Sequence, residues 1–211
     1  EFFGANQNEI YFTSGGTESN NLALRGIYNV YSDMENEVVI SAAEHSSVFN
    51  TAEAIVPADR LRLIPLLPDG SLDLETADRL ITEDTSLISV MMANNETGAI
   101  FPINEIVKIA HSRGALVHCD AVQSFGKVPI NVKELGVDLL SISGHKAHAL
   151  PGVGALYVRK GIQIHSIFSG GRQEFNIRPG TENYIGIASL GAVAGELIRD
   201  GLSNSAGLRD A

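Results

Sequence analysis

The sequence predicts an α/β protein in which a mostly parallel sheet is flanked by helices. Short apolar runs alternate with helical patterns along the chain. Repeated strand and helix units of this spacing favour parallel strands with helices on both faces. At 211 residues, 44% apolar and 19% charged, the chain is long enough for one sizeable domain with a single packed core.

The first half of the chain contains three predicted strand and helix pairs. The strands are residues 10–13, 38–41 and 61–66, and the helices are residues 19–31, 46–55 and 73–81. Ser46 or Ser47 can cap the second helix, and Asp73 is expected to cap the third, because a side-chain oxygen can accept from the free N–H groups of a helix start. A turn is expected at Pro68-Asp69-Gly70, since proline presets φ and glycine accepts a positive φ.

The second half repeats the alternation. Its predicted strands are residues 87–92, 115–119, 137–142 and 154–159, and its helices are residues 104–113 and 181–199. Gly114 ends the first of these helices, as a C-terminal glycine should. Residues 1–200 are therefore predicted to form one domain, and residues 201–211 a truncated connection. The abrupt start without methionine predicts a piece of a longer protein that lacks an N-terminal segment and a C-terminal small domain.

Composition excludes several functions. The net charge of −10 and the lack of a basic run argue against a nucleic-acid surface. The apolar tract at residues 184–195 is too short to span a membrane, and no secretory signal is visible. The single cysteine, Cys119, excludes an internal disulfide framework and fits a reducing cytoplasm. It lies in an apolar run, so we expect it to be buried.

Polar residues follow five of the predicted strands. In parallel sheets, ligands bind beyond the carboxyl ends of the strands, so we expect these residues to meet at one edge. They are Gly15-Gly16-Thr17, Glu44-His45, Asn94-Asn95-Glu96, Asp120 with Gln123, and Ser143-Gly144-His145-Lys146.

Lys146 is the candidate reacting amine. A lysine attacks a carbonyl when its surroundings lower its pKa, although a lysine taken alone is more often a solvated loop residue. Asp120 follows a buried strand, where a carboxylate is costly without a cationic partner. The Gly15-Gly16-Thr17 turn precedes a helix and can hold a phosphate, or serve only as a helix cap. His45 can stack on a flat ligand or move a proton, or be an ordinary helix-start histidine.

Together these groups suggest pyridoxal phosphate, which needs a lysine for its aldehyde, an acid for its ring nitrogen and donors for its phosphate. Metal binding is the rival use of the histidines. No His or Cys spacing resembles a zinc or 2-His-1-carboxylate signature, so no metal site is predicted.

Six motifs, taken in order over nearly the whole chain, resemble the cysteine desulfurases, in the class V branch of fold-type I pyridoxal-phosphate enzymes. The resemblance implies the three-layer large domain of those enzymes. The motifs are Thr13-Ser14-Gly15-Gly16-Thr17-Glu18-Ser19-Asn20-Asn21, Glu44-His45, Asn94-Asn95-Glu96-Thr97-Gly98, Asp120-Ala121-Val122-Gln123-Ser124, Ser143-Gly144-His145-Lys146 and Arg178-Pro179-Gly180-Thr181.

The resemblance implies a phosphate site and a covalent attachment point. Gly16 and Thr17, with Ser143 and His145, would hold the phosphate. Lys146 would form the Schiff base with the cofactor aldehyde and take part in catalysis.

It also implies contacts to the cofactor ring. Asp120 would pair with the ring nitrogen, and His45 would stack on the ring and handle protons. Gln123 would bond the ring hydroxyl, with Asn95 near that hydroxyl and the substrate carboxylate. Thr181 would reach the phosphate of a partner subunit's cofactor, which implies a homodimer.

The implied reaction converts L-cysteine to L-alanine plus an enzyme persulfide, for delivery to a sulfur acceptor such as an iron–sulfur scaffold. The sulfur-carrying cysteine of the family lies in a later part of its chains, and a buried Cys119 would not replace it. Another class V enzyme, such as an aminotransferase or a selenocysteine lyase, remains open, as does a catalytically silent domain that serves for dimerisation. Glu44-His45 and Asn94-Asn95-Glu96-Thr97-Gly98 favour the desulfurases.

Two loops depart from the family pattern. The chain has Ala149-Leu150-Pro151-Gly152 where relatives carry a Gly-Pro-Lys-Gly turn. Arg172 and Asn176 stand where relatives often have glycine.

Overall fold

The computed structural model describes residues 3–31 and 36–200. Its strands are β1 (Ile10–Thr13), β2 (Glu37–Ser41), β3 (Leu61–Ile64), β4 (Thr85–Ser89), β5 (Leu116–Asp120), β6 (Leu139–Ser143) and β7 (Gly154–Val158). Its helices are α1 (Gly16–Val30), α2 (Ser46–Ile55), α3 (Leu74–Leu80), α4 (Ile103–Ser112), α5 (Val132–Leu135), the single turn α6 (Gln173–Asn176) and α7 (Tyr184–Asp200). Two short 3-10 helices lie at Gln7–Glu9 and Gly144–Ala147.

The strands form one sheet in the order β1-β7-β6-β5-β4-β2-β3. The β2–β3, β2–β4, β4–β5 and β5–β6 pairs are parallel. β7 is antiparallel to both β6 and β1, so β1 runs in the same direction as β6. The predicted α/β fold with a mostly parallel sheet is confirmed, and the carboxyl ends of six strands lie at one edge.

Buried apolar side chains form two clusters, one on each face of the sheet. Successive strand residues alternate between them: Leu139 of β6 lies in the cluster under α1 and α2, and Leu140 lies in the opposite cluster with α4. The sheet is therefore the middle of three layers. Its strands are covered on both faces, as expected for parallel strands.

Some boundaries differ from the predicted ones. α1 begins at Gly16 instead of residue 19, because the Gly15 carbonyl already accepts from the Ser19 N–H at 3.0 Å. This places Gly16 and Thr17 in the first helical turn. α7 begins at Tyr184 instead of residue 181, because Asn183 Oδ1 accepts from the Gly186 N–H at 3.0 Å and starts the helix there.

A buried polar network lies beneath the carboxyl edge. Glu44 Oε1 accepts from the Met91 N–H and from the Ser41 hydroxyl, both at 2.6 Å. Ser89 Oγ lies 3.5 Å from Glu44 Oε2 and 2.8 Å from Nδ1 of His118. The network thereby joins the end of β2 to β4 and β5, and it holds the segment between β2 and α2 in place.

Burial keeps this network uncharged. Burial, with the Asp120 carboxylate nearby, raises the pKa of Glu44 to about 8 against the hydrogen bonds that it accepts. Burial lowers the pKa of His118 to about 3. At neutral pH Glu44 is therefore a protonated acid and His118 a neutral imidazole.

The charge state of Glu44 predicts a pH-dependent stability. The folded chain keeps this proton up to about pH 8, whereas the unfolded chain releases it near the ordinary value of 4.5. Unfolding between these values releases a proton, so a rising pH lowers the free energy of unfolding. Glu44→Gln keeps a neutral hydrogen-bond donor and acceptor but has no proton to release. Between about pH 4.5 and pH 8, its free energy of unfolding should therefore rise relative to that of the wild type by up to about 1.4 kcal/mol per pH unit.

Urea unfolding of both proteins at about pH 5 and about pH 8 measures the difference. Glu53→Gln, an exposed glutamate of α2, controls for the loss of one carboxylate. If the free energies of unfolding of Glu44→Gln and the wild type differ by the same amount at both pH values, the assignment of a protonated Glu44 is contradicted.

Candidate active site

A cleft of about 260 Å³ lies at the carboxyl edge of the sheet. Nine of the ten predicted site residues line it, which are Gly16, Thr17, His45, Asn95, Asp120, Gln123, Ser143, His145 and Lys146. The tenth, Thr181, lines a separate depression together with Phe12 and Asn183. The convergence of strand ends at one edge is thus confirmed for five segments of the chain.

Lys146 lies on the 3-10 helix that follows β6 directly, and its side chain is half-buried. Two backbone hydrogen bonds hold this helix: the Gly144 N–H donates to the Val153 carbonyl at 2.9 Å, and the Ala149 N–H donates to the Gly144 carbonyl at 3.0 Å. The turn is closed at His148, whose φ of 68° is left-handed. The lysine is therefore presented from a tightly fixed turn and not from a loose loop.

The start of α1 also lines this cleft, through Gly16 and Thr17. The first N–H groups of a helix have no partner within it and attract anions. A Cβ added at Gly16 would meet Val122 Cγ2 at 2.5 Å, so glycine allows this turn to lie against the segment after β5. A Cβ at Gly154 would meet the Gly15 Cα at 2.7 Å, so β7 also depends on glycine to approach the turn.

Ser143 and His145 add polar groups beside this helix start. Ser143 is fully buried at the end of β6, and its Oγ lies 2.9 Å from Nδ1 of His145. His145 itself is exposed. The helix start and these two side chains lie side by side and offer the kind of groups that bind anions in other proteins.

Asp120 lies at the end of β5 and is only 4% exposed. Its Oδ1 accepts from the Val122 N–H at 2.9 Å, and its Oδ2 accepts from Asn20 Nδ2 at 2.7 Å. Burial nevertheless raises the pKa of Asp120, against these two hydrogen bonds and the nearby His45. A cationic ligand in the cleft would stabilise this carboxylate.

His45 is the N-cap residue of α2, and its exposed side chain borders the same cleft. Its Nδ1 accepts from the Ser47 N–H at 3.1 Å. Gln123 lines the same cleft, and its Oε1 accepts from Lys127 Nζ at 3.3 Å. A histidine, an amide and a carboxylate are therefore available to a ring bound between them.

Four further residues line the cleft that were not selected as site residues, although two of them, Asn20 and Val122, lie within the quoted motifs; the four are Asn20, Ser47, Met91 and Val122. Asn20 lies three residues after Thr17 in a helical segment, so helical spacing could have indicated it. Ser47 was predicted only as a helix cap. Met91 and Val122 are apolar residues with no chemical signature in the sequence.

Cys119 is fully buried, as predicted. Burial, together with the Asp120 and Glu44 carboxylates, raises its pKa well above the usual range. A thiol in this position resists ionisation and is a poor nucleophile.

Within residues 3–31 and 36–200, no three His, Cys, Asp or Glu side chains are grouped as ligands of a metal ion. None of the helices in that part of the chain combines the length and the apolar character that crossing a membrane requires.

Comparison with known proteins identifies relatives of this chain. Residues 1–206 match the family model described as aminotransferase class-V. The chain is 46% identical over 189 residues to the cysteine desulfurase IscS of Dictyoglomus turgidum (strain DSM 6724 / Z-1310), covering 89% of this chain and 48% of that protein.

Solved structures give the same result. A structure titled "NIFS-LIKE PROTEIN" matches with a TM-score of 0.89 at 36% identity, covering 96% of this chain and 56% of that one. A structure titled "SspA in complex with cysteine" matches with a TM-score of 0.83 at 35% identity, covering 92% and 57%.

The chain spans about half the length of the curated relatives it matches. The family model matches nearly all of this chain. The sheet and the cleft of the chain agree with the predicted α/β arrangement. The chain belongs to the class V aminotransferase family of pyridoxal-phosphate enzymes, in the branch that contains the cysteine desulfurases.

Proposed function

We propose that this chain binds pyridoxal phosphate in the cleft and provides the cofactor-binding part of a cysteine desulfurase. The observation that carries the proposal is the buried Asp120, whose bonded partners are all uncharged, in one cleft with Lys146 and the start of α1. The raised pKa of this buried carboxylate fits a protonated ring nitrogen as its missing cation. The cleft thus offers a carboxylate for the ring nitrogen, a lysine for the aldehyde and a helix start for the phosphate.

Each part of the cofactor has a matching group in the chain. The N–H groups of Gly16 and Thr17, with Ser143 and His145, would hold the phosphate. Lys146 would attach to the aldehyde carbon, and Asp120 would hold the ring nitrogen. When bound, pyridoxal phosphate supplies an electron sink for a carbanion at the substrate α-carbon.

The remaining groups of the cleft would serve the ring and the substrate. His45 would stack on the ring, while Gln123 and Asn95 would donate to its hydroxyl and to the substrate carboxylate. The Lys146 amine and the His45 imidazole are the groups suited to hold and move protons.

The proposed reaction takes sulfur from L-cysteine. The C–S bond of the substrate breaks, its sulfur joins a protein thiol as a persulfide, and L-alanine leaves. The relatives named cysteine desulfurase, and the one solved with cysteine, support this substrate. Cys119 is unsuited to carry the sulfur because it is buried and its pKa is raised. The carrier thiol is therefore proposed to lie in a region that corresponds to the other half of the relatives.

The proposal also includes a homodimer and a protein that accepts the sulfur. Thr181 is exposed and lies outside the cleft, which fits a contact with a cofactor held by a second copy of the chain in a homodimer. A sulfur acceptor protein, in cytoplasmic iron–sulfur cluster assembly, would take the persulfide sulfur.

Cofactor attachment can be tested by absorption. Purified protein incubated with pyridoxal phosphate and dialysed should keep the absorption band of lysine-bound cofactor, and Lys146→Ala should lose it because no amine remains to attach. Lys127→Ala removes a lysine that bonds Gln123 at the rim, and it should keep the band. Identical spectra from the wild type and Lys146→Ala would rule out attachment at this lysine.

The reaction can be tested on the full-length product of the source gene. It should release sulfide and alanine in equal amounts from L-cysteine in the presence of a thiol reductant. Lys146→Ala should lower the rate about a thousandfold or more, since the covalent step is lost. Cofactor binding without alanine formation would favour another class V reaction.

A further inference from the structure

A line of hydrogen bonds joins His45 to Asp120 through two side chains that sequence reasoning did not select. Asn20 Nδ2 lies 2.7 Å from Asp120 Oδ2 and 2.8 Å from Ser47 Oγ. Ser47 Oγ lies 2.7 Å from Nδ1 of His45. Asn20 is 1% exposed and Ser47 is 8% exposed, so water is largely kept away from the two middle members.

The orientation of the Asn20 amide follows from its neighbours. Its nitrogen carries two hydrogens, and Asp120 Oδ2 and Ser47 Oγ each accept one. The opposite orientation would place the amide oxygen against the Asp120 carboxylate, where neither group can donate when the acid is ionised. Within the described residues, the amide oxygen has no hydrogen-bond partner, so the nitrogen alone holds this side chain.

The hydrogen bonds at Nδ1 of His45 fix the tautomer of its ring. The backbone N–H of Ser47 donates to His45 Nδ1 at 3.1 Å, so this nitrogen is an acceptor, and the Ser47 hydroxyl 2.7 Å away donates its hydrogen to it while accepting from Asn20. A nitrogen that accepts two hydrogen bonds carries no proton, so the neutral ring has its proton on Nε2.

We propose that Asn20 and Ser47 are positioning residues that hold the Asp120 carboxylate and the Nε2–H tautomer of His45 as one connected unit. The catalytic meaning of this unit rests on the proposed function, but its existence does not. Nδ1 of His45 is committed to Ser47, so Nε2–H is the ring position left for a ligand. The neutral His45 ring can then donate a hydrogen bond from Nε2–H, and the task of accepting a proton falls first to the Lys146 amine.

Asn20 also affects Asp120 directly. Its hydrogen bond is one of the two that oppose the rise in the pKa of Asp120 caused by burial. Loss of Asn20 would remove that donor and would also remove the hydrogen bond that Ser47 Oγ accepts. One substitution would therefore disturb both ends of the unit, which a residue with a purely local packing role would not do.

The first test needs no cofactor, and it reads the tautomer in the wild-type protein. In protein labelled with 15N-histidine, the ring nitrogen chemical shifts of neutral His45, identified with His45→Gln, should show Nδ1 unprotonated and Nε2 protonated. A proton on Nδ1 would overturn the proposal, because the Ser47 hydroxyl would then have no acceptor there.

The second test follows the Asp120 carboxyl by 13C NMR across a pH titration. Asn20→Ala should shift its midpoint upward, since a donor to the ionised form is lost. Ser46→Ala, a change at the exposed neighbour of Ser47, should leave the midpoint where it is in the wild type. An unchanged midpoint in Asn20→Ala would overturn the positioning of Asp120 by this amide. Asn20→Ser is the second variant, for use if Asn20→Ala does not fold. If neither variant folds, the tautomer of His45 in the wild type decides between the outcomes.

The two proposals fail separately. If the cofactor does not bind but the Nε2–H tautomer and the upward shift are observed, the proposed function is wrong and the connected unit stands. If the cofactor attaches at Lys146 but the proton lies on Nδ1 of His45, the connected unit is wrong and the proposed function stands.

Discussion

The burial of one carboxylate, Asp120, is the constraint on which the site depends. An acid at the end of a central strand loses most of its hydration, and burial raises its pKa. The fold supplies two neutral donors, the Val122 N–H and the Asn20 amide, but no bonded cation in the part of the chain that the structure describes. A ligand with a protonated ring nitrogen would be a suitable positive partner, which connects the fold to the proposed cofactor.

The sheet explains why the other groups lie beside this carboxylate. β5 and β6 are parallel neighbours, so Asp120 and Ser143 both end at the same edge, and Lys146 follows within one turn. β1 reaches this edge only because β7 returns antiparallel between it and β6. Gly154 lets that returning strand lie against the turn at Gly15, which brings the start of α1 into the same cleft as the lysine.

Much of this arrangement could be predicted from the sequence, because the chemistry of the site lies in residue types at strand ends. The predicted strands and the rule for parallel sheets were enough to place His45, Asp120 and Lys146 in one cleft. Thr181 lies outside this cleft, and the contact proposed for it is with a second copy of the chain. The start of α7 was misplaced because the Asn183 cap, and not a propensity, decides it.

Buried polar contacts were the part that the sequence could not provide. Glu44 and His118 lie in or beside apolar runs, and nothing in their spacing indicates that burial keeps both uncharged. Asn20 and Ser47 have ordinary roles in helix patterns, and only the packing of α1 against α2 brings them together. Such contacts join residues far apart in the chain and depend on distances that a sequence does not contain.

The most direct test of the account is to locate the cofactor on the chain. Protein incubated with pyridoxal phosphate is reduced with borohydride, digested and analysed by peptide mass spectrometry. A pyridoxyl group is expected on the peptide that contains Lys146. A pyridoxyl group confined to other lysines, such as Lys108 or Lys133, or none at all, would contradict it.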